Sequence, residues 1–311
     1  MEWSDRIGRR LKPRDLHVFL AVAEHGNMAK AAEQLAISRP VVSKIIADLE
    51  HTLGVRLLDR NPKGVEPTLY GRALLKRSVI VFDELRQGVK EIEFLADPNA
   101  GEVRCACTES LAAGLVSVVI DRLSRRYPRW SFHIELGTPN SRLELLRSRK
   151  VDFVITRDLT PDADIEEEPL FSDRLLVVVG SRSRWAARRK VRLADLIHEQ
   201  WIQSAHEIGP GGPTFEAFAS AGLEFPKAKV VSASLNLRYS LLATGQFITM
   251  MPDSMMLLAP SQRSIRVLPI NIPRWRLPNS IFTLRNRTLG PAAQCFIECV
   301  RDVAKPLANG K

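Results

Sequence analysis

No apolar run in the 311 residues reaches the ~20 residues that a bilayer-spanning helix needs. The opening MEWSDRIGRRLKPRD has no apolar core of the kind a signal peptide carries. The expectation is a cytoplasmic protein without a membrane partner. Four cysteines are too few to staple a secreted chain of this length, which fits a reducing compartment. Cys105 and Cys107 would share a strand face, and Cys295 and Cys299 a helix face. They read as buried small apolar residues, with a thiol sensor or metal site as the alternative. The six histidines are scattered, with no HExxH and no Cys/His pairing at metal-ligand spacing. Hydrolase and nucleotide signatures (GxSxG, GxxxxGKS/T) are missing too, and the GPGGP at 209–213 reads as a loop. The chain is therefore expected not to be an enzyme and to hold neither metal nor resident cofactor.

What is present fits a folded protein. A hydrophobic fraction of 45% and a charged fraction of 26% are those of ordinary globular chains, and the length allows two or three units. The net charge of +10 points to an anionic partner, but its distribution does not say where. Residues 1–70 carry 11 Lys+Arg against 9 Asp+Glu, residues 71–97 carry 5 against 5, and residues 98–311 carry 29 against 21. Nucleic acid is therefore indicated by residue pattern and not by net charge.

That pattern lies near the N-terminus. Leu16, Phe19, Leu20 and Ala23 line one helix face and Gly26 stops it. Asn27 caps a second, short helix through Leu35, and Ser38 a third, with Pro40 tolerated in its first turn. In the third helix Val42, Ile46, Leu49 and Leu53 face a core, while Pro40, Ser43, Lys44, Ala47 and His51 project the other way and Arg39 points past the helix end. Hydroxyls and amides that reach phosphates, beside Arg and Lys that reach guanine edges, suit a recognition helix in a major groove. The alternative on spacing alone is a helical hairpin with a solvated face. After Gly54, VRLLDRNPKGVEPT gives two short extended runs around a turn at 61–64. Arg56, Arg60 and Lys63 on this wing would lie along phosphates. Asn27, Ser38, Arg39, Pro40, Ser43, Lys44, Arg56, Arg60 and Lys63 are the candidate DNA-binding residues, with double-stranded DNA as the partner.

The stretch FLAVAEHGNMAKAAEQLAISRPVVSKIIADLEHTLGVRLLDR closely resembles the signature of the LysR-type transcriptional regulators, and the resemblance covers residues 11–97 as a winged helix-turn-helix and linker helix. The chain departs from the family's common residues at Arg39, Ile45, Asp48 and Leu58. DLEHTLGVRLLDRNPKGVEPTLYGRALLKRSV and FLADPNAGEV look most like the branch that includes regulators of galactose-type sugar uptake and of aromatic-acid catabolism.

Thr68 caps a helix from Leu69 to about Ala96. Leu75, Ser78, Phe82, Leu85, Val89, Ile92 and Ala96 follow the 3,4 spacing of a coiled-coil seam, with Leu75, Phe82, Leu85, Val89 and Ile92 as candidate dimerisation residues. A single helix packed on its own domain is the alternative. The resemblance implies dimerisation through this helix, hence a homodimer or homotetramer in which two recognition helices face one pseudo-palindromic site.

From Gly101 strands and helices alternate, an α/β pattern. The expected strands are 101–108, 130–136, 151–156, 174–180, 229–234, 246–251, 265–270 and 280–285, with a last helix over 294–304. The resemblance implies an effector domain like the periplasmic binding proteins over 98–311. The expected organisation is a winged helix-turn-helix at 1–68, a long linker helix at 69–97, and two α/β subdomains, one about 98–170 with 273–311 and the other about 171–272, crossing at 161–171 and 269–278. Ligands in such folds sit beyond strand carboxyl ends. Thr108, Glu109, Ser110, Thr138, Asn140, Arg157, Gly211, Thr214 and Ser234 are the candidate effector-binding residues, since free amides, hydroxyls and Arg157 suit an anionic group and Glu109 a hydroxylated one. Their alternative reading is caps and turns. The basic run from Arg182 to Arg192 reads as a solvated face or a second contact with bent DNA. The function expected is a transcription regulator responding to a small-molecule co-inducer, with RNA polymerase as a further candidate partner. The competing reading is a nucleoid or DNA-bending protein without an effector.

Overall fold

The computed structural model describes residues 11–61, 64–157, 159–258, 264–270, 272 and 276–308. The chain forms two compact units, residues 1–89 and 90–311.

In the first unit, α1 (Pro13–His25) opens on a proline, whose missing amide has no partner in a first turn anyway, and closes at Gly26 with φ 59°. The Asn27 Oδ1 accepts from Ala29 N at 2.8 Å and from Lys30 N at 3.3 Å, starting α2 (Met28–Gln34). α3 (Arg39–Leu53) ends at Gly54, with φ 72°. Phe19, Val22, Ala31, Val42, Ile46 and Leu49 form a single core. Each large apolar side chain buried there is worth ~1.5–3 kcal/mol, so packing rather than propensity holds three helices this short.

The wing is an antiparallel pair, β1 (Leu58–Asn61) and β2 (Gly64–Pro67), with Asn61 opposite Gly64. Two ties fix it. The Glu50 Oε1 accepts from Leu57 N at 2.7 Å and Leu58 N at 3.1 Å, joining α3 to β1. Val65 N donates to Gly26 O at 2.8 Å, joining β2 to the end of α1. Gly64 has φ +140°, and a Cβ there would lie 2.5 Å from Gly26 O, so the second tie needs glycine.

Thr68 Oγ1 accepts from Gly71 N at 3.0 Å and donates to Arg56 O at 2.8 Å, starting the 28-residue α4 (Leu69–Ala96), a rod of ~40 Å. Its candidate seam divides. Leu75 packs against the N-terminal core and the Phe82 ring lies 5.6 Å from that of His17, whereas Val81, Leu85, Val89, Ile92 and Leu95 are exposed.

The second unit is built on a mixed sheet. β3 (Ala100–Cys107) lies parallel to β4 (Arg129–Leu136) and β5 (Phe153–Thr156). β11 (Arg276–Leu284) pairs antiparallel with β5 and with β6 (Ile165–Gly180). β6 also pairs with β9 (Phe247–Pro252) and β10 (Ile265–Val267). β7 (Gln200–Gln203) lies parallel to β9 and to β8 (Ala228–Val231). Val103, Leu115, Phe153 and Phe296 centre one apolar core, and Val177, Trp201, Phe218 and Met250 a second, so the unit has two lobes. The helices are α5 (Glu109–Leu111), continuing through a π turn into α6 (Ser117–Arg126), α7 (Pro139–Arg147), α8 (Pro213–Ser220), α9 (Leu235–Ala243), α10 (Asp253–Leu258) and α11 (Pro291–Ala308).

Two expectations need correction. The strand expected at 174–180 begins earlier, so that the stretch 161–171, expected as a crossing between subdomains, is itself largely strand: β6 pairs with β11 from Ile165 to Arg174 and with β9 from Leu175 onward. Pro169, which supplies no ladder donor, is accommodated by a register shift between Asn279 and Ser280 that leaves Leu170 unmatched. The expected strand at 229–234 stops at Val231, and Ser234 caps α9 instead, its side chain accepting from Leu237 N at 3.3 Å.

Candidate functional site

The DNA-facing candidates gather at the start of α3 and on the wing. Ser38 adopts an N-cap backbone, φ −78° and ψ 148°, yet its side chain makes no capping bond, contrary to expectation. An N-cap oxygen takes the second or third amide of the helix; the second residue, Pro40, has none, and no bond to the third, Val41, forms. The Ser38 hydroxyl thus stays outside the helix, beside exposed Arg39, Pro40 and Lys44 and half-buried Ser43. The Arg60 Nη2 lies 3.5 Å from Ser43 Oγ, so the wing brings its cation alongside the helix, and Arg56 is exposed at the wing's start. Asn27 spends its side chain on the α2 cap. Lys63 lies outside the described residues. Glu50, which sequence reasoning missed, sets the spacing between α3 and the wing.

In the second unit a polar cluster spans the two lobes. Thr108 follows β3, with its Oγ1 3.3 Å from Ser110 Oγ. The Arg157 Nη2, just after β5, donates to Ser110 Oγ at 3.0 Å and lies 3.7 Å from Asp173 Oδ2. Asp173 is fully buried on β6 and accepts from Ser254 N, Ser254 Oγ and Asn279 Nδ2, each at 3.0 Å. Burial pushes its carboxyl upward, against the pull of Arg157 and the Ser254 donors. The Glu109 Oε1 accepts from Leu235 N, the first amide of α9, at 3.1 Å. Thr108, Glu109, Ser110, Arg157 and Ser234 therefore fall within one neighbourhood.

The other candidates are placed differently. Thr138 caps α7, accepting from Ser141 N at 3.3 Å, and Asn140 is exposed on that helix. Gly211, at φ +82°, donates to Glu216 Oε1 at 2.9 Å, and Thr214 is buried in the first turn of α8. These two belong to the second lobe. Nearby, buried Arg238 on α9 bonds Glu207 Oε2 at 2.8 Å and Thr249 Oγ1 at 2.9 Å, tying the 204–212 loop to α9. Sequence reasoning missed Arg238, Glu207, Asp173 and Asn279; these ion pairs and polar contacts close across 11 to 106 positions of chain and leave no local spacing signal. In the basic run, Arg184 pairs with Glu199, and Arg192 with Asp195 at 2.8 Å. Among the described residues no group of three or more His, Cys, Asp or Glu could hold a metal, and no helix is long and apolar enough to cross a membrane.

A helix-turn-helix with a wing, joined by a long helix to a two-lobed α/β unit, defines a ligand-responsive DNA-binding regulator. Residues 13–72 match the bacterial regulatory helix-turn-helix protein, lysR family, and residues 96–305 the LysR substrate binding domain. The chain belongs to the LysR family and is a DNA-binding transcription regulator with an effector-binding domain. It is 27% identical over 300 residues to the transcriptional regulator GbpR of Azospirillum brasilense, covering 94% of this chain and 86% of that one. To the transcriptional dual regulator GltC of Bacillus subtilis it is 25% identical over 288 residues, covering 92% and 95%. Among solved structures, a full-length OxyR variant from Pseudomonas aeruginosa has a TM-score of 0.65 at 20% identity, covering 96% of this chain and 97% of that one. CbnR, a LysR family transcriptional regulator, has a TM-score of 0.56 at 23% identity, covering 94% and 100%.

Proposed function

We propose that the protein is a homo-oligomeric regulator that reads a pseudo-palindromic promoter site with the start of α3. Binding of a small anionic or hydroxylated metabolite between the lobes of its second unit shifts the placement of paired DNA-binding units. The observation that carries the reading is the uncapped start of α3, where the Ser38 hydroxyl, Arg39 and Lys44 stand together in solvent with Arg60 alongside. Such a helix end offers donors to phosphates and two cations to base edges. CbnR has been seen in complex with its target DNA, which supports the same use of this fold here. The exposed Leu85, Val89 and Ile92 on α4 are the apolar stripe through which two copies would pair.

The test is selection of bound fragments from the source genome, followed by footprinting of the best one with wild type, Arg39→Ala and Lys44→Ala. A protected pseudo-palindrome weakened by either change is expected, at roughly 1–3 kcal/mol for a base-reading Arg. Uniform, salt-sensitive binding without a preferred site would favour the nucleoid-binding reading instead.

A further inference from the structure

Where the two lobes meet, the position best suited to an anion is already taken. The N-terminus of α9 carries the positive end of the helix dipole and unpaired first-turn amides. Its first amide, Leu235 N, donates to the Glu109 carboxylate from the other lobe, 126 residues away, and Leu237 N donates to Ser234 Oγ. The other cation of the cluster, Arg157, is engaged with Ser110 and Asp173. A free carboxylate entering here would displace Glu109 or sit beside its charge.

Glu109 also has capacity left. A carboxylate offers two oxygens and about four acceptor sites; among the described residues Leu235 N is the hydrogen-bond partner of Oε1, which leaves Oε2 to accept from a ligand. The side chain is half-buried rather than sealed. Tyr239, one turn along α9, keeps its phenol proton more firmly than usual through burial and then through the Glu109 charge.

We propose that Glu109 is the specificity-determining residue of the cleft: its carboxylate fills the anion seat at the start of α9, so the effector presents hydroxyl or ammonium donors and small monocarboxylates are turned away. This rests on the effector-cleft reading and narrows the ligand class within it.

Acetate is the probe, used on full-length wild type, Glu109→Ala and Glu109→Gln, against sodium chloride at equal ionic strength. Two quantities are read without effector or DNA: melting temperature, and hydrogen exchange of a peptide over 232–243. Glu109→Ala should exchange roughly two- to fivefold faster at the start of α9, and acetate should restore its protection and raise its melting temperature by roughly 1–4 °C. Wild type should ignore acetate. Glu109→Gln should keep its protection and ignore acetate as well, since an amide oxygen still accepts from Leu235 N; it also serves as the folded control. An unaltered exchange rate in Glu109→Ala, or an acetate response in wild type equal to that of the variant, would overturn the proposal. Either failure leaves effector binding itself intact, which fails separately if promoter-nominated metabolites leave the footprint unchanged.

Discussion

Replacing Glu50 by alanine should loosen the wing without touching a DNA-facing side chain. Two N–H donors, Leu57 and Leu58, share one carboxylate oxygen at 2.7 and 3.1 Å. Hydrogen bonds to a charged group contribute ~1.5–3 kcal/mol each, but the site is only partly buried, so water recovers some of the loss. The pair is therefore expected to cost about 2–3 kcal/mol. In a unit of 89 residues, where 1 kcal/mol moves the midpoint by ~4–8 °C, that is a fall of roughly 10–20 °C in the transition of the N-terminal unit, read by calorimetry. Glu50→Gln keeps an oxygen acceptor but loses its charge and should fall about half as far. DNA affinity, measured by anisotropy, should weaken on specific and random duplexes alike if Arg60 has the phosphate-contacting role proposed for the wing, since such a contact carries no base reading. A Glu50→Ala transition within about 3 °C of wild type would refute the claim that this carboxylate sets the wing.

Two further outcomes follow from the geometry. Gly64→Ala brings a Cβ to 2.5 Å from Gly26 O at φ +140° and should destabilise the wing by at least ~2 kcal/mol, visible as faster exchange of the Val65 amide; unchanged exchange would show that the turn can relax. The Arg301 guanidinium grips Glu168 through bonds of 2.7 and 2.8 Å, holding that carboxyl below its usual range. A depressed acid contributes stability above its unfolded value, ~4.3, and loses it as pH falls through the folded one. Arg301→Ala should thus flatten the fall in melting temperature below about pH 5, and an equally steep acid limb in the variant would contradict it.

Local chemistry made much of the first unit legible. The Asn27 cap, the Val42, Ile46 and Leu49 face and the Gly54 stop are each written within a few residues of where they act. The misreadings share a cause. The strand expected to begin at Arg174 begins at Ile165: Pro169 and the acidic Glu166–Glu168 run give no strand pattern, and only the partner strand, with its register shift at Asn279, shows how a proline fits there. α9 was missed because its apolar pattern is broken: the charged Arg238 shares the buried face with Leu235 and Leu242, while Leu237 is exposed. Arg238 is held by Glu207 and Thr249, contacts that exist only once the lobe has folded. Ser38 suits a cap by residue type, yet Pro40 leaves the Val41 amide as its remaining partner in the first turn, and that bond does not form.

The passage between the lobes runs out along β6, and β11 lies hydrogen-bonded beside it from Leu284 to Arg276. Two strands tied in this way resist sliding past each other, since every ladder bond would have to break, but they twist at little cost. In mechanical terms they form a torsion bar rather than a pair of strings. A rotation of one lobe against the other would be about the long axis of the ribbon, and Asp173, clasped by Ser254, Asn279 and Arg157, sits near the point where β6 changes partners.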